Sequence, residues 1–435
     1  FTGRGDNFVA LMKANGLSSP ELVTGRELRI PAELVHPSLR VAATSDDGVL
    51  VYGADDRGPY AGYRLRPGEA LYSAVVVRFT ARMSAEDVVT LADAIAERSG
   101  IADPTDIPVG YLVKIPLDEL AARYLPKGHP RRVEAEREQE QRARSLEQAP
   151  VPTATGLGGV VVVIDPGHGG KDLGTQHNGL WEHDYIYDVA VRLKALLERH
   201  SAARVHMTVK DLETGWTPST TDKLTKNLKG TILTDPPFLA TKNGDAKTGV
   251  NLRYYLANSI YRKEVAAGTD RVRIVFLSLH ADALHPSLRG AMVYVPGASL
   301  RTRTYHHSGK RYDRYAEVRE KPTLKFSYKN RIRSEAVSRK LADAILDGFE
   351  AERLPIHSDR PVRDRIHRGR STYVPAVIRV NEIPAKVLVE TVNLGNASDA
   401  ALLGRIADRE RMARALLRGL FDHFGEAPPE SLSSP

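Results

Sequence analysis

The stretch Gly159-Val160-Val161-Val162-Val163-Ile164-Asp165, running on into Pro166-Gly167-His168-Gly169-Gly170, decides the fold class. Its unbroken β-branched run leaves no polar face, the pattern of a strand buried on both sides in a parallel sheet. Downstream, Tyr185–His200 sets Ile186, Val189, Ala190, Leu193, Leu196 and Leu197 on one helical face. Val205–Val209 reads as a short strand, Val250–Tyr261 as a helix, and Arg273–His280 (RIVFLSLH) as a second buried strand. Ala291–Pro296 and Lys386–Glu390 read as further strands, Ser334–Ala351 as an amphipathic helix, and Ala401–Phe424 as closing helices. This order predicts an α/β fold, a mostly parallel sheet flanked by helices.

Open α/β sheets place their sites beyond the carboxyl ends of the strands. The first strand leads into Asp165-Pro166-Gly167-His168, the second ends in Ser278-Leu279-His280-Ala281-Asp282, and a later one ends at Glu390. Glu182 is expected just before the first helix, in Trp181-Glu182-His183-Asp184. Two imidazoles and two carboxylates thus converge from four segments. Two His and one carboxylate with an open position is a recurring catalytic zinc set. Zinc lowers the pKa of bound water to about 7, and a further carboxylate can accept that proton and pass it on. Taken singly, each residue has a plainer reading. A histidine after a strand is often only hydrogen-bonded, Glu182 could simply complement a helix dipole, and the Gly-rich turn lacks the Lys-Ser/Thr of a phosphate loop.

The chain has 435 residues, about two to four domains' worth. Cysteine is absent, which excludes disulfides, a cysteine nucleophile and thiolate metal sites. No run of 18 apolar residues occurs, so no membrane-spanning helix is expected. Residues 1–118 carry a net charge of −4 and the remainder +12, which points to an acidic partner or to a solvated Arg-rich surface. Residues 129–148 alternate in charge without an apolar stripe, and Pro, Thr and Gly follow, which reads as a solvated helix and a tether. Two inserts interrupt the α/β pattern, Asp211–Gly249 and Arg301–Arg333. The second holds 11 Lys+Arg against 3 Asp+Glu, interleaved with Tyr305, His306, His307, Tyr312 and Tyr315. Segments of this length are usually functional or disordered. The expected role is to bind carboxylates or acidic glycan, or to lie over the site as a plug; the alternative is a solvated insertion without a role.

Upstream, Gly25-Arg-Glu-Leu28-Arg29-Ile30-Pro31 recurs as Gly110-Tyr-Leu-Val113-Lys114-Ile115-Pro116. Each copy follows a Gly-acid turn that opens a helical pattern, at Gly5-Asp6-Asn7-Phe8 and at Gly68-Glu69-Ala70-Leu71. These modules resemble LysM domains, which bind N-acetylglucosamine-containing glycans. The first spans 1–40, its helix ending at Asn15-Gly16, and the second, divergent one spans 60–120 with a long Arg78–Asp103 stretch. Residues 121–158 would be the linker.

Residues 159–425 resemble the zinc-dependent N-acetylmuramoyl-L-alanine amidases of the amidase-3 family. The resemblance is carried by Ile164–Gly174, Gly179-Leu180-Trp181-Glu182, Leu252-Arg253 with Ala257-Asn258, Ser278–Ala283, and Val387-Leu388-Val389-Glu390 with Asn396. It implies one Zn2+ held by His168, Glu182 and His280, with Glu390 as general base and acid, and with Asp282, Asn396 and Arg253 on the substrate side. It implies cleavage of the amide between the lactyl group of N-acetylmuramic acid and L-alanine of the stem peptide. After Glu390 the family usually has Gly-Phe before Ser-Asn, whereas Val392-Asn393-Leu394-Gly395-Asn396 stands here. The partners expected are peptidoglycan, through its glycan strands and stem peptides, and an activator protein, with no nucleic acid. The location expected is periplasmic or extracellular and wall-associated, with a leader removed. Two other readings stay open: a non-catalytic wall-binding scaffold, and a zinc peptidase cutting another stem-peptide bond.

Overall fold

The computed structural model describes residues 7–19, 28–31, 34, 44–147, 155–177, 179–242 and 244–428. They fall into two compact units, residues 1–67 with 95–132 and residues 68–94 with 133–435. In the first, helix α1 (Phe8–Ala14) ends at Asn15-Gly16 as its sequence predicts, with Gly16 at φ +62°. The Asn15 amide donates to Arg29 O at 2.7 Å and accepts from Arg29 N at 2.6 Å, which ties the first Leu-Arg-Ile-Pro segment to the helix end. Residues 20–27, where that repeat begins, lie outside the described residues. Strands β1 (Val51–Asp55), β2 (Gly58–Arg64) and β3 (Leu112–Pro116) form an antiparallel sheet. Helix α2 (Ala85–Ser99) lies between β2 and β3 in the chain. The charged stretch forms helix α3 (Pro130–Glu147), opening on a proline at the position where a missing N–H costs nothing. The tether residues 148–154 lie outside the described residues.

Residues 68–94, which hold the first part of the long Arg78–Asp103 stretch, belong to the second unit. Ser84 bridges Leu284, the Tyr72 ring stacks on His285 at 5.6 Å, and Gly369 N donates to Asp87. The rest is a three-layer α/β domain. Its elements are β4 (Val161–Pro166), α4 (Glu182–His200), β5 (Arg204–Met207), α5 (Asp245–Ala266), β6 (Ile274–Asp282), β7 (Met292–Tyr294), α6 (Tyr328–Ala351), β8 (Val362–Arg363), β9 (Ala385–Asn393), α7 (Ala397–Gly404) and α8 (Ile406–His423). The sheet order is β8-β7-β9-β6-β4-β5. β5, β4, β6 and β9 are parallel, while β7 pairs antiparallel with β9 and β8 follows β7.

The central strands are buried on both faces. Val162, Ile164, Val275, Leu277, Val387 and Val389 pack with Tyr185, Ile186, Leu341, Ile345, Leu416 and Leu420 from α4, α6 and α8. On the α5 side, Leu252, Tyr254 and Tyr255 share a cluster with Tyr315, Val318, Leu324 and Phe326. Those last four belong to the basic insert, which is folded: Thr304–His306 pairs with Thr323–Lys325 and a short helix covers Ala316–Glu320. Tyr315 and Phe326 are buried against α5, Tyr305 and Tyr312 pack partly buried on the same cluster, and the charged side chains between them are largely exposed.

Candidate metal centre

Because β4, β6 and β9 run in one direction, their last residues meet at one edge of the sheet. After Pro166 the backbone turns through three positive φ values, His168 +68°, Gly169 +134° and Gly170 +61°. For a non-glycine residue such a conformation costs about 1–3 kcal/mol and persists only where its surroundings impose it. Here Gly169 and Asp172 exchange backbone hydrogen bonds at 2.7 and 3.1 Å, and His168 Nδ1 pairs with Asp172 Oδ1 at 2.9 Å. The other ring nitrogen, Nε2, is left 3.1 Å from Glu182 Oε1.

Glu182 is the first residue of α4, one step inside the helix that the apolar pattern starts only at Tyr185. The short Gln176–His177/Leu180–Trp181 hairpin sets that start: Glu182 N donates to Thr175 O and His183 N to Leu173 O. A carboxylate in the first helical turn also suits the helix dipole. Its Oε2 accepts from Thr175 N at 2.8 Å, and its Oε1 accepts from Ala281 N at 3.1 Å while facing His280 Nδ1 at 2.9 Å. The ligand atoms of His168, Glu182 and His280 all lie within 4.8 Å of one another. Burial pushes the Glu182 carboxyl up, but the His168 and His280 imidazoles outweigh it and hold it well below the usual carboxylate range. His280 Nε2 is buried without a hydrogen-bond partner among the described residues. Two oriented imidazoles on one buried carboxylate, with Asp172 fixing one ring from behind, is a donor set that fits a divalent transition metal.

Glu390 lies on β9 in direct register with His280 on β6. It is 9% exposed, and its Oε2 has no hydrogen-bond partner among the described residues. Burial, and then the Asp282 and Glu182 carboxylates, push its carboxyl well above the ordinary range. Burial pushes Asp282 up to about 6.

Of the three residues expected on the substrate side, Asp282 and Arg253 lie beside the centre, Arg253 lining a hollow with His168 and Asp172. Arg253 is 3% exposed. Its guanidinium donates to Pro166 O at 3.1 Å and stands 3.4 Å from Asp165 Oδ1, so it braces the end of β4. Asp165, fully buried, also accepts from Ser278 and Thr208. Asn396 caps α7, accepting from Ser398 N and Asp399 N and donating to Pro286 O at 2.7 Å. Its amide is already committed to backbone groups. Asn396→Ala is therefore expected to cost about 1 kcal/mol of stability, the usual worth of such a cap, and to leave kcat unchanged. Denaturant unfolding and a steady-state assay check this. Asp172 joins the site as the partner of His168, and its four-residue step from that histidine is the sequence signal that marks it.

The proton inventory predicts how metal uptake depends on pH. Burial pushes His168 down, but Glu182 and Asp172 outweigh it and hold the imidazole up at about 9. Burial pushes His280 below its usual value, so it is neutral at pH 7. Metal must therefore displace about one proton from His168 below pH 9. Affinity should rise about tenfold per pH unit up to there and then level off. Since the folded value is the raised one, His168 stabilises the metal-free fold fully below about pH 6.5, and that contribution is lost as pH rises through 9. Calorimetry in buffers of different ionisation heat counts the released proton; none at pH 7.5 would contradict this.

The family model for N-acetylmuramoyl-L-alanine amidase (Amidase_3) matches residues 162–422, and the LysM domain model matches residues 5–31. N-acetylmuramoyl-L-alanine amidase AmiA of Escherichia coli is 26% identical over 281 residues, 63% of this chain and 79% of AmiA. AmiA of Salmonella typhimurium is 25% identical over 271 residues, 61% of this chain and 76% of its own. Among solved structures, the N-acetylmuramyl-L-alanine amidase Ami1 from Mycobacterium smegmatis is 19% identical and covers 62% of this chain and 99% of its own, at a TM-score of 0.39. No helix among the described residues is long and apolar enough to cross a membrane. Matched over more than half its length, with the motif histidines and glutamates gathered at one sheet edge, the chain belongs to the amidase-3 family of N-acetylmuramoyl-L-alanine amidases.

Proposed function

We propose that the protein hydrolyses the amide between N-acetylmuramic acid and L-alanine in peptidoglycan, with one Zn2+ held by His168, Glu182 and His280. The observation that carries this is the register of Glu390 with His280, which sets a partnerless carboxyl beside the three-ligand cluster. Zinc in that cluster supplies a Lewis acid for the lactyl carbonyl and a water acidified to near neutrality. Asp172 holds the His168 ring, and the Ala281 and Thr175 amides hold Glu182, so the ligands are oriented before binding. Glu390 takes the water's proton at its carboxylate and delivers it to the departing alanine nitrogen. Burial and then Asp282 are the larger causes of Glu390's raised pKa, and a cation held by Glu182 would offset the third, the Glu182 charge.

The LysM segment at 5–31 would tether the enzyme to glycan and raise its effective concentration on the wall. Residues 60–120, a divergent second module on this reading, carry the matching turn and strand at Gly110 and Leu112–Pro116. A periplasmic or extracellular, wall-associated location and an activator protein belong to the same reading as expectations. The non-catalytic scaffold and the peptidase are its competitors. Chelator treatment should abolish release of soluble peptide from purified peptidoglycan, and stoichiometric zinc should restore it. Release that survives chelation would overturn the metal assignment, and no release with zinc present would favour the scaffold.

A further inference from the structure

A second cavity lies in the catalytic unit, at the opposite end of the sheet from Glu390. It measures about 550 Å3 and is walled by the end of α5, the first half of α6, the start of β9 and the basic insert. Lys386 in its wall precedes Glu390 by four residues on β9, about 13 Å at the rise of a strand. Eight Lys and Arg side chains line it against one carboxylate, Glu382. That carboxylate is already taken, since it pairs with Arg262 at 2.5 Å and with Lys321 at 2.6 Å.

The other cations are without counter-ions. Among the described residues, Arg271, Arg301, Arg333, Lys340 and Lys386 form no ion pair. Two of these are in the interior, each 1% exposed: Arg301 and Lys386. Lys386 Nζ donates only to Ser334 Oγ at 2.7 Å and Ile383 O at 2.6 Å. Arg301 donates to Arg379 O and Asn381 O, both uncharged, and its Nη1 has no partner. Burial draws Arg301 down to about 10, and burial with Arg301 as a like-charged neighbour draws Lys386 well below its ordinary value. Two buried cations that form no ion pair, with Glu335 acting on Arg301 and Glu382 on Lys386 only through space, are costly in an ordinary interior. The rest of the wall sets Asn330, Ser334 and His423 beside an apolar strip of Val265, Val272, Phe326 and Val337. A hollow of this size with polar groups fixed beside apolar surface is the usual form of a small-molecule site.

We propose that this cavity binds an organic phosphate: its dianionic head seated between Arg301 and Lys386, its apolar body along Val265, Val272 and Phe326. A phosphate offers the charge and the several acceptor oxygens that unpaired guanidinium and ammonium groups call for. The basic insert, read from sequence as a wall- or substrate-contacting loop, then serves this site, since Arg301, Lys325, Phe326 and Arg333 belong to it. The assignment does not rest on the amidase reading.

The test is calorimetry on the full chain with hexyl phosphate as probe, beside inorganic phosphate and hexyltrimethylammonium. Hexyl phosphate should bind with one site, about tenfold or more tighter than inorganic phosphate, and the cation should not bind. Lys386→Met should weaken hexyl phosphate about tenfold or more, the worth of a charge-assisted bond, while peptidoglycan hydrolysis stays unchanged. If Lys386→Met does not fold, the exposed pair Arg271→Ala with Arg333→Ala carries the test with the same direction. Sedimentation with phosphatidylcholine vesicles containing dihexadecyl phosphate distinguishes the source. Binding with sedimentation supports the site and puts its ligand in a membrane; binding without it supports the site and puts the ligand in solution. No heat from hexyl phosphate up to millimolar concentration, or equal binding by the variants, would overturn the proposal.

Discussion

Glu390→Gln is expected to lower kcat by about 10³-fold, the middle of the range for loss of a general acid–base, with zinc content unchanged. The amide keeps the shape of the side chain and removes the proton carrier. Glu390 is not in the His168–Glu182–His280 cluster, so metal should stay bound. The change also removes a buried group whose charged form is disfavoured by burial, Asp282 and Glu182, so the fold should be no less stable. The combination is diagnostic: activity lost, zinc and melting temperature kept. A variant that loses zinc as well would move Glu390 into the metal's own ligand set. A variant within tenfold of wild type would remove it from the proton path.

Gly167→Ala is expected to have an effect as large by another route. A Cβ on Gly167 would stand 2.4 Å from Cε1 and 2.6 Å from Nδ1 of His280. No positive φ is involved, so the strain falls on the imidazole, which must leave Glu182. Zinc affinity should fall about 100-fold or more, at the upper end of what disturbed ligand support costs, with activity at limiting zinc falling in parallel. Gly179→Ala is the control. It sits at φ +78° with nothing within 4 Å of the new methyl, so it should cost about 1 kcal/mol of stability and leave zinc affinity alone. Equal zinc affinities in both variants would contradict the close packing of β4 against His280.

The strands and the metal cluster were legible because each rests on a local signal. Val161–Ile164 and Ile274–Leu277 are apolar throughout, and parallel order follows from the helices between them. The ends of such strands converge, so the sequence pattern alone brings His168, His280 and Glu390 together. What was not legible depends on contacts distant in sequence. The antiparallel direction of β7 is fixed by its pairing of Met292 with Glu390, which no periodicity encodes. Arg253 and Asn396 share motifs with site residues, and the fold adds bonds no motif encodes, from Arg253 to Pro166 O and from Asn396 to Pro286 O and the α7 amides. The tyrosines of the basic insert looked like a surface recognition stretch, because aromatic–basic alternation reads the same whether the rings face solvent or α5. Only the fold puts Tyr315 and Leu324 inside.

The measurement that tests the central claim most directly is mass spectrometry of the products from purified peptidoglycan and the zinc-loaded enzyme. The account predicts intact stem peptides with a free alanine amino terminus, and glycan strands whose muramic acid carries a free lactyl carboxylate. Shortened peptides with the lactyl amide still closed would contradict it and identify a peptidase.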